Sequence, residues 1–144
     1  MLSNARLPRS PSGWTMAVFG VLAAALGLVG LVSPDTTIRL MGLAPRADRP
    51  AGDHTVLFLT ASSMAALNMG VYYVLAALAD WKSFFRWTVP FRFLTFSVFT
   101  LAVLTDRAPA GFLGVGLWEA AGALATGVAL RVESRRASRK EAVA

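Results

Sequence analysis

Cysteine is absent from this chain of 144 residues, and histidine occurs only once, as His54. Without cysteine the protein has no disulfide, no thiolate metal ligand and no cysteine nucleophile. A single histidine excludes multi-histidine metal centres and the paired-histidine ligation of haem. The sequence also lacks a phosphate-binding glycine-rich loop and a G-x-S-x-G motif. We therefore expect neither a metal nor a cofactor.

Charged residues are scarce as well. They form 15% of the chain, whereas hydrophobic residues form 56% and the mean hydropathy is +0.57. A soluble domain has about 25% charged residues, so this composition indicates a membrane protein. Five of the 14 cations follow directly after the last apolar run, namely Arg131, Arg135, Arg136, Arg139 and Lys140. Cations at this position meet anionic lipid headgroups, so we expect the bilayer as a partner and no nucleic acid.

Four apolar runs are long enough to cross a bilayer, at 14–32, 53–79, 84–105 and 110–130. No small-x-small cleavage site follows the first run, which therefore reads as a retained helix and not as a signal peptide. The runs predict an all-α protein, a bundle of four transmembrane helices. Small residues on the first run predict close packing against a neighbouring helix, namely Gly20, Ala24 and Gly27.

The chain divides into three parts by composition. Residues 1–13 are polar and basic, and we expect them to be disordered. Residues 14–131 form the predicted four-helix transmembrane domain. Residues 132–144 form a basic tail, which we expect on the cytoplasmic side.

The distribution of cations predicts the orientation. Four spans place both termini on one side of the membrane. That side, with the turn between the second and third runs, carries nine cations, namely Arg6, Arg9, Lys82, Arg86, Arg131, Arg135, Arg136, Arg139 and Lys140. The opposite side carries four, namely Arg39, Arg46, Arg49 and Arg107. The positive-inside rule then predicts an N-in, C-in protein of the bacterial cytoplasmic (inner) membrane.

The longest connection, 33–52, lies outside in this orientation. It opens with a helix-starting Ser33-Pro34-Asp35 and contains Ile38 and Leu40 beside the charged Arg39. This pattern fits a short interfacial helix over the mouth of the bundle. An ordinary loop fits equally well, and the sequence leaves both alternatives open.

Polar residues within the apolar runs are the candidate site. Glu119 lies about 16 Å and Arg92 about 22 Å from the outer turn that joins their helices, so the two side chains can meet. Asn68 lies at a similar depth, and Tyr72 follows it by one turn. Charges inside a membrane span normally have a partner and a use. We predict ligand-binding roles for all four residues and assign Glu119 and Arg92 as catalytic candidates.

Each of these residues also has an ordinary structural explanation. Arg92 can extend its guanidinium to the headgroups, and Glu119 can lock helix packing as a paired or protonated carboxyl. Asn68 can serve as an interhelical hydrogen-bonding residue.

Several loose motifs resemble the DoxX-like and BphX-like group of small four-helix bacterial membrane proteins. The resemblance covers residues 13–131 and rests on Gly42-Leu43-Ala44-Pro45, Asn68-x-Gly70-x-Tyr72-Tyr73, Pro90-x-Arg92 and Gly116-x-x-Glu119-x-x-Gly122-Ala123. The acidic residue of the fourth helix is Glu119 here, where the group's pattern has Asp. The resemblance implies the four-helix architecture and no defined activity.

Three functions fit these observations. The first is an accessory membrane protein that holds a lipophilic small molecule, quinone- or lipid-like, beside Asn68, Arg92 and Glu119. The second is a small membrane enzyme, an isomerase or cyclase, with Glu119 as proton donor and Arg92 or Tyr72 stabilising negative charge. The third is a structural subunit of a homo-oligomer or membrane complex.

Overall fold

The computed structural model describes residues 7–142, and these form five helices. They are α1 (Pro11–Val32), α2 (Pro34–Leu40), α3 (Thr55–Leu78), α4 (Lys82–Leu104) and α5 (Phe112–Glu141). All but α2 are long and apolar enough to cross a membrane. The predicted all-α bundle of four transmembrane helices is confirmed, and the chain is a multi-pass membrane protein.

Helices α1 and α3 pack together most closely, through glycine. Gly27 of α1 lies against the backbone of Leu67, and Gly70 of α3 lies against the backbone of Gly20 and Ala24. A methyl group added at either Gly27 or Gly70 would overlap the facing backbone. The close approach predicted for the small residues of α1 is therefore present, with α3 as the partner helix.

The helices are arranged around the bundle in the order α3, α1, α5, α4. Helix α1 packs on α3 and α5, and α5 packs on α4, whereas the backbones of α3 and α4 lie apart over most of their length. These two helices touch through aromatic rings near their connecting turn. The ring centre of Phe84 in α4 lies 5.9 Å from that of Tyr73 in α3. It also lies 5.4 Å from the ring centre of Trp81 in the connecting turn. The side between α3 and α4 is therefore the least closed side of the bundle.

One end of the bundle, which we call the terminal end, holds the first residues of α1, the α3–α4 turn and the last part of α5. Ser12 donates its backbone N–H to Glu133 at 2.7 Å, and Lys82 donates to the same carboxylate at 2.6 Å. The described parts of both termini thus lie at the same end, as four spans require.

The first and last spanning helices extend beyond residues 14–131, the predicted transmembrane domain. Helix α1 begins at Pro11 and is capped by Ser10, so residues 11–13 are helical and not disordered. Residues 1–6 lie outside the described residues. Helix α5 continues to Glu141. Its arginines, alanine and glutamates favour helix, and neither glycine nor proline interrupts them.

The long connection contains the short helix that was one of the two predicted alternatives. Helix α2 begins at Pro34, buries Ile38 and leaves Leu40 exposed. The backbone of Met41, directly after α2, touches Gly111 at the start of α5. Helix α2 and Met41 therefore cross the bundle end opposite the termini, which we call the outer end.

Candidate functional site

The two charged residues predicted to meet inside the bundle are in direct contact. Arg92 of α4 donates from Nε to Oε2 of Glu119 on α5 at a distance of 2.7 Å. Their helices are packed neighbours, so the similar depths inferred from helix rise translate into a hydrogen-bonded ion pair.

Arg92 is enclosed by aromatic and glycine residues. Only 3% of it is exposed, and its Cζ lies 4.5 Å from the ring centre of Phe19 and 5.7 Å from that of Tyr73. Gly122 of α5 leaves room for the guanidinium, because a Cβ at this position would overlap it. Arg92 therefore points into the bundle and does not extend to the headgroups.

One nitrogen of the guanidinium is fully buried without a hydrogen-bond partner in the described part of the chain. Nη1 of Arg92 is buried and has no hydrogen-bond partner among residues 7–142. A buried charged group with an unsatisfied donor carries a penalty above the 1–3 kcal/mol typical of neutral groups. The rings of Phe19 and Tyr73 offset part of it through cation–π attraction. An oxygen acceptor beside Nη1 would remove the rest of this free-energy penalty.

Glu119 borders this site and is less enclosed than its partner. About 23% of its side chain is exposed, compared with 3% for Arg92. It accepts the Arg92 hydrogen bond through Oε2. Because the pair carries no net charge, it can present an N–H donor to a neutral molecule without binding a counter-ion.

The other two predicted ligand contacts, Asn68 and Tyr72, do not join this pair. Both are exposed on α3, and Tyr72 is 55% exposed. Gly70 faces α1, and a residue two positions away on a helix points about 200° from it. The interpretation that Asn68 and Tyr72 face a common interior with Arg92 and Glu119 is wrong. The tyrosine beside Arg92 is Tyr73.

A sequence signal for the true inward face of α3 does exist. Ser63, Gly70 and Ala77 are spaced seven residues apart, and all three are buried. Small residues at this spacing form the close-packing face of a membrane helix. The polar residues of α3 predict the wrong orientation of this helix, and its small residues predict the correct one.

A second polar group, which we call the terminal cluster, was missed by the sequence reasoning. It consists of Ser10, Ser12, Asp80, Lys82 and Glu133. Glu133 accepts from the N–H and hydroxyl of Ser12 and from Lys82 Nζ, at 2.7, 3.1 and 2.6 Å. Ser10 donates to Asp80, whose carboxylate also lies 3.2 Å from Lys82. These contacts tie α1, the α3–α4 turn and α5 together.

The charge state of Asp80 follows from these contacts. Its partial burial opposes ionisation, but the hydrogen bonds from Ser10 and Lys82 and the positive charge of Lys82 outweigh that effect. The pKa of Asp80 is therefore held below the ordinary value of 3.8. Asp80 is a carboxylate at neutral pH, and its role is structural.

The outer end carries an open cleft of about 460 Å³, lined by the α2 region and the start of α3. Arg49 in its wall lies 3.6 Å from Asp35 and 3.4 Å from Asp53. Hydrogen bonds from the side chain and backbone of Thr55 lower the pKa of Asp53. Asp53 thus accepts the backbone N–H of Thr55, the first residue of α3, and its charge is paired with that of Arg49.

Comparison with protein-family models, curated proteins and solved structures gives no match to this chain. The resemblance to the DoxX-like group stays a prediction. Among the described residues, the feature that most directly points to a function is the buried, unpaired Nη1 of Arg92.

Proposed function

We propose that the bundle binds a neutral lipophilic molecule with a carbonyl-type oxygen, quinone- or lipid-like, beside Arg92 and Glu119. The observation that carries this proposal is the buried Nη1 of Arg92, which has no acceptor among residues 7–142. A carbonyl oxygen would supply the missing acceptor. It would do so without the desolvation cost of a second anion next to Glu119.

The surroundings of the pair fit such a ligand. The rings of Phe19 and Tyr73 provide apolar, polarisable walls against the guanidinium. The less closed side between α3 and α4 provides a route from the bilayer, where a lipophilic molecule is concentrated. The role is that of a holding or accessory protein.

The acid–base alternative is less well supported. Oε2 of Glu119 already accepts a hydrogen bond from Arg92 Nε at 2.7 Å, so this oxygen is engaged within the protein. Tyr72, the other residue predicted to stabilise a developing anion, is 55% exposed on α3 and does not join the pair.

Binding of a decyl-substituted benzoquinone to the protein in lipid nanodiscs tests the proposal. Replacing Arg92 by Met should weaken this binding about ten-fold or more, since a hydrogen bond to a charged group is worth roughly 1.5–3 kcal/mol. Arg86→Met is the matched control, because it removes the same charge from an exposed position on the same helix. Affinity that is equal in both variants would contradict the proposal.

Folding has to be separated from binding in this experiment. The double variant Arg92→Met/Glu119→Leu leaves no buried charge unpaired and is expected to fold. If the double variant is stable and still binds the quinone as the wild type does, the Arg92 site is not the binding site.

We further propose that the protein lies in the bacterial inner membrane with both termini in the cytoplasm. The support is the excess of cations at the terminal end, nine against four. The chain has no cysteine, so single cysteines at Ser138 and Ala51 report position without interference. An impermeant thiol reagent should label position 51 and not 138 in intact cells. The reverse pattern would overturn the orientation.

A further inference from the structure

Helix α3 has a second regular face, which points away from α1 and is uncovered among residues 7–142. It follows a repeat of three and four residues along the helix, and every member is exposed: Phe58, Ala61, Ala65, Asn68, Tyr72 and Leu75. We call it the heptad face. Residues at this spacing lie along one side of a helix, which is the geometry by which two helices pack along their length.

Asn68 sits at the centre of the heptad face. It lies ten residues before the end of α3 at Leu78, which is about 15 Å of helix and half of a hydrocarbon core. Its carboxamide makes no hydrogen bond to any residue within 7–142. A polar group left unpaired at this depth is costly, so the carboxamide requires a partner from outside the chain.

We propose that this partner is a second copy of the same chain, with α3 packed parallel to α3 about a twofold axis along the membrane normal. Two copies inserted in the same orientation bring their Asn68 residues to the same depth. A carboxamide contains both a donor and an acceptor, so two of them satisfy each other. One polar residue in an otherwise apolar heptad pattern is also a known device for fixing register and the number of helices.

The rest of the helix permits this pairing. Helix α3 contains no Asp, Glu, Lys or Arg between Thr55 and Leu78, so two parallel copies bring no like charges together. Helix α4, by contrast, carries Arg86 and Arg92. The small Ala61 and Ala65 at the middle of the heptad face allow the two backbones to approach closely. This inference uses none of the residues of the Arg92 site and stands independently of it.

Disulfide trapping tests the contact directly. Ala65→Cys provides a single cysteine on the heptad face, and Val98→Cys provides one at an exposed position of α4. After mild oxidation in phosphatidylcholine vesicles at low protein density, Ala65→Cys should give several times more covalent dimer than Val98→Cys. Equal yields, or no dimer from Ala65→Cys, would overturn the proposal.

The role of the carboxamide is tested by energy transfer between copies labelled through Ser138→Cys in the same vesicles. Asn68→Leu should weaken dimerisation about five- to thirty-fold, the effect expected for a lost interhelical hydrogen bond. Asn68→Gln, which keeps the carboxamide, should retain most of the affinity. Ser62→Leu is the matched control, because this exposed hydroxyl already bonds to the Leu59 carbonyl at 3.0 Å.

Three outcomes of this second experiment would overturn the proposal. They are a wild-type protein that stays monomeric, a dimer that Asn68→Leu leaves unchanged, and a Ser62→Leu effect as large as that of Asn68→Leu. Asn68 is exposed, so its variants should fold normally, and an unchanged thermal unfolding midpoint in detergent verifies this.

Discussion

Two ion pairs join α4 to α5, and they differ in how completely their atoms are paired. Near the terminal end, Glu133 receives hydrogen bonds from Lys82 and from both the N–H and the hydroxyl of Ser12. Inside the bundle, Arg92 donates one hydrogen bond to Glu119 and keeps a buried, unpaired Nη1. The first pair is a saturated structural tie. The second has hydrogen-bonding capacity left for another molecule.

The surroundings of the two pairs differ in the same direction. Lys82 and Glu133 keep 32% and 20% of their side chains exposed, so both retain contact with solvent or headgroups. Arg92 keeps 3%. The desolvated pair therefore depends far more strongly on the presence of both members.

Among the predicted changes in the free energy of unfolding, we expect the largest from Glu119→Ala. It leaves the Arg92 cation buried without its counter-ion, and such losses cost about 3–5 kcal/mol. Unfolding in mixed micelles with increasing denaturing detergent measures the change in free energy. Arg92→Met/Glu119→Leu should recover much of this loss, because no charge remains to be paired. Strictly additive single effects would contradict the direct coupling of the pair.

The next largest loss of stability is expected at the glycine that makes room for Arg92. Gly122→Ala places a methyl group into the guanidinium and should cost about 1–3 kcal/mol through displacement of the side chain. Gly127→Ala is the matched control on the same helix, since its Cβ would lie 3.7 Å from Val89, an ordinary contact. The same unfolding assay should show Gly127→Ala as neutral or slightly stabilising. Equal losses would mean that helix packing, and not Arg92, explains Gly122.

A smaller effect is expected at the saturated pair. Lys82→Met removes one donor from Glu133, which retains both hydrogen bonds from Ser12. We expect a loss of about 1–2 kcal/mol in the unfolding assay, the range for a partly exposed, charge-assisted hydrogen bond. Arg86→Met, at an exposed site one turn along α4, serves as the control. A loss from Lys82→Met as large as that from Glu119→Ala would remove the distinction between the two pairs.

The smallest effect is a pH dependence at Asp80. Since its pKa is lowered in the folded state, its contribution to stability is present above the ordinary value of 3.8 and is lost as the pH falls through the lowered pKa. The stability difference between wild type and Asp80→Asn should therefore be constant near pH 6 and shrink below about pH 4. Unfolding midpoints across this range measure it, with the exposed Asp48→Asn as control. A difference that grows in acid would contradict the assignment.

The elements of this fold could be predicted from the sequence because each depends on local composition. Four apolar runs specify four spanning helices, and Ser33-Pro34-Asp35 opens α2, which was one of the two alternatives that the sequence left open. The meeting of Arg92 and Glu119 follows from helix rise, since α4 ends and α5 begins at the same short turn. These inferences need only distances along one or two helices.

The orientation of α3 required knowledge of its neighbour. Polar residues in a membrane helix favour either the interior or a second protein, and Asn68 alone does not distinguish them. Backbone contact at Gly70 decides the orientation, because any larger residue there would separate α1 from α3. The terminal cluster could not be predicted from the sequence for a related reason. It joins Ser12, Lys82 and Glu133, which are far apart in the sequence, and all three lie outside the predicted spans.

The contact between α1 and α3 has a consequence for the order in which the protein is made. Its closest points, Gly27 against Leu67 and Gly70 against Ala24, lie in two spanning segments that leave the ribosome before α4 and α5. Neither span contains a charged residue, so this pairing requires no group from the second half of the chain. A finished α1–α3 pair can thus await α4 and α5 at the insertion site. The direction of translation then sets the sequence of assembly, and the two ion pairs between α4 and α5 form last.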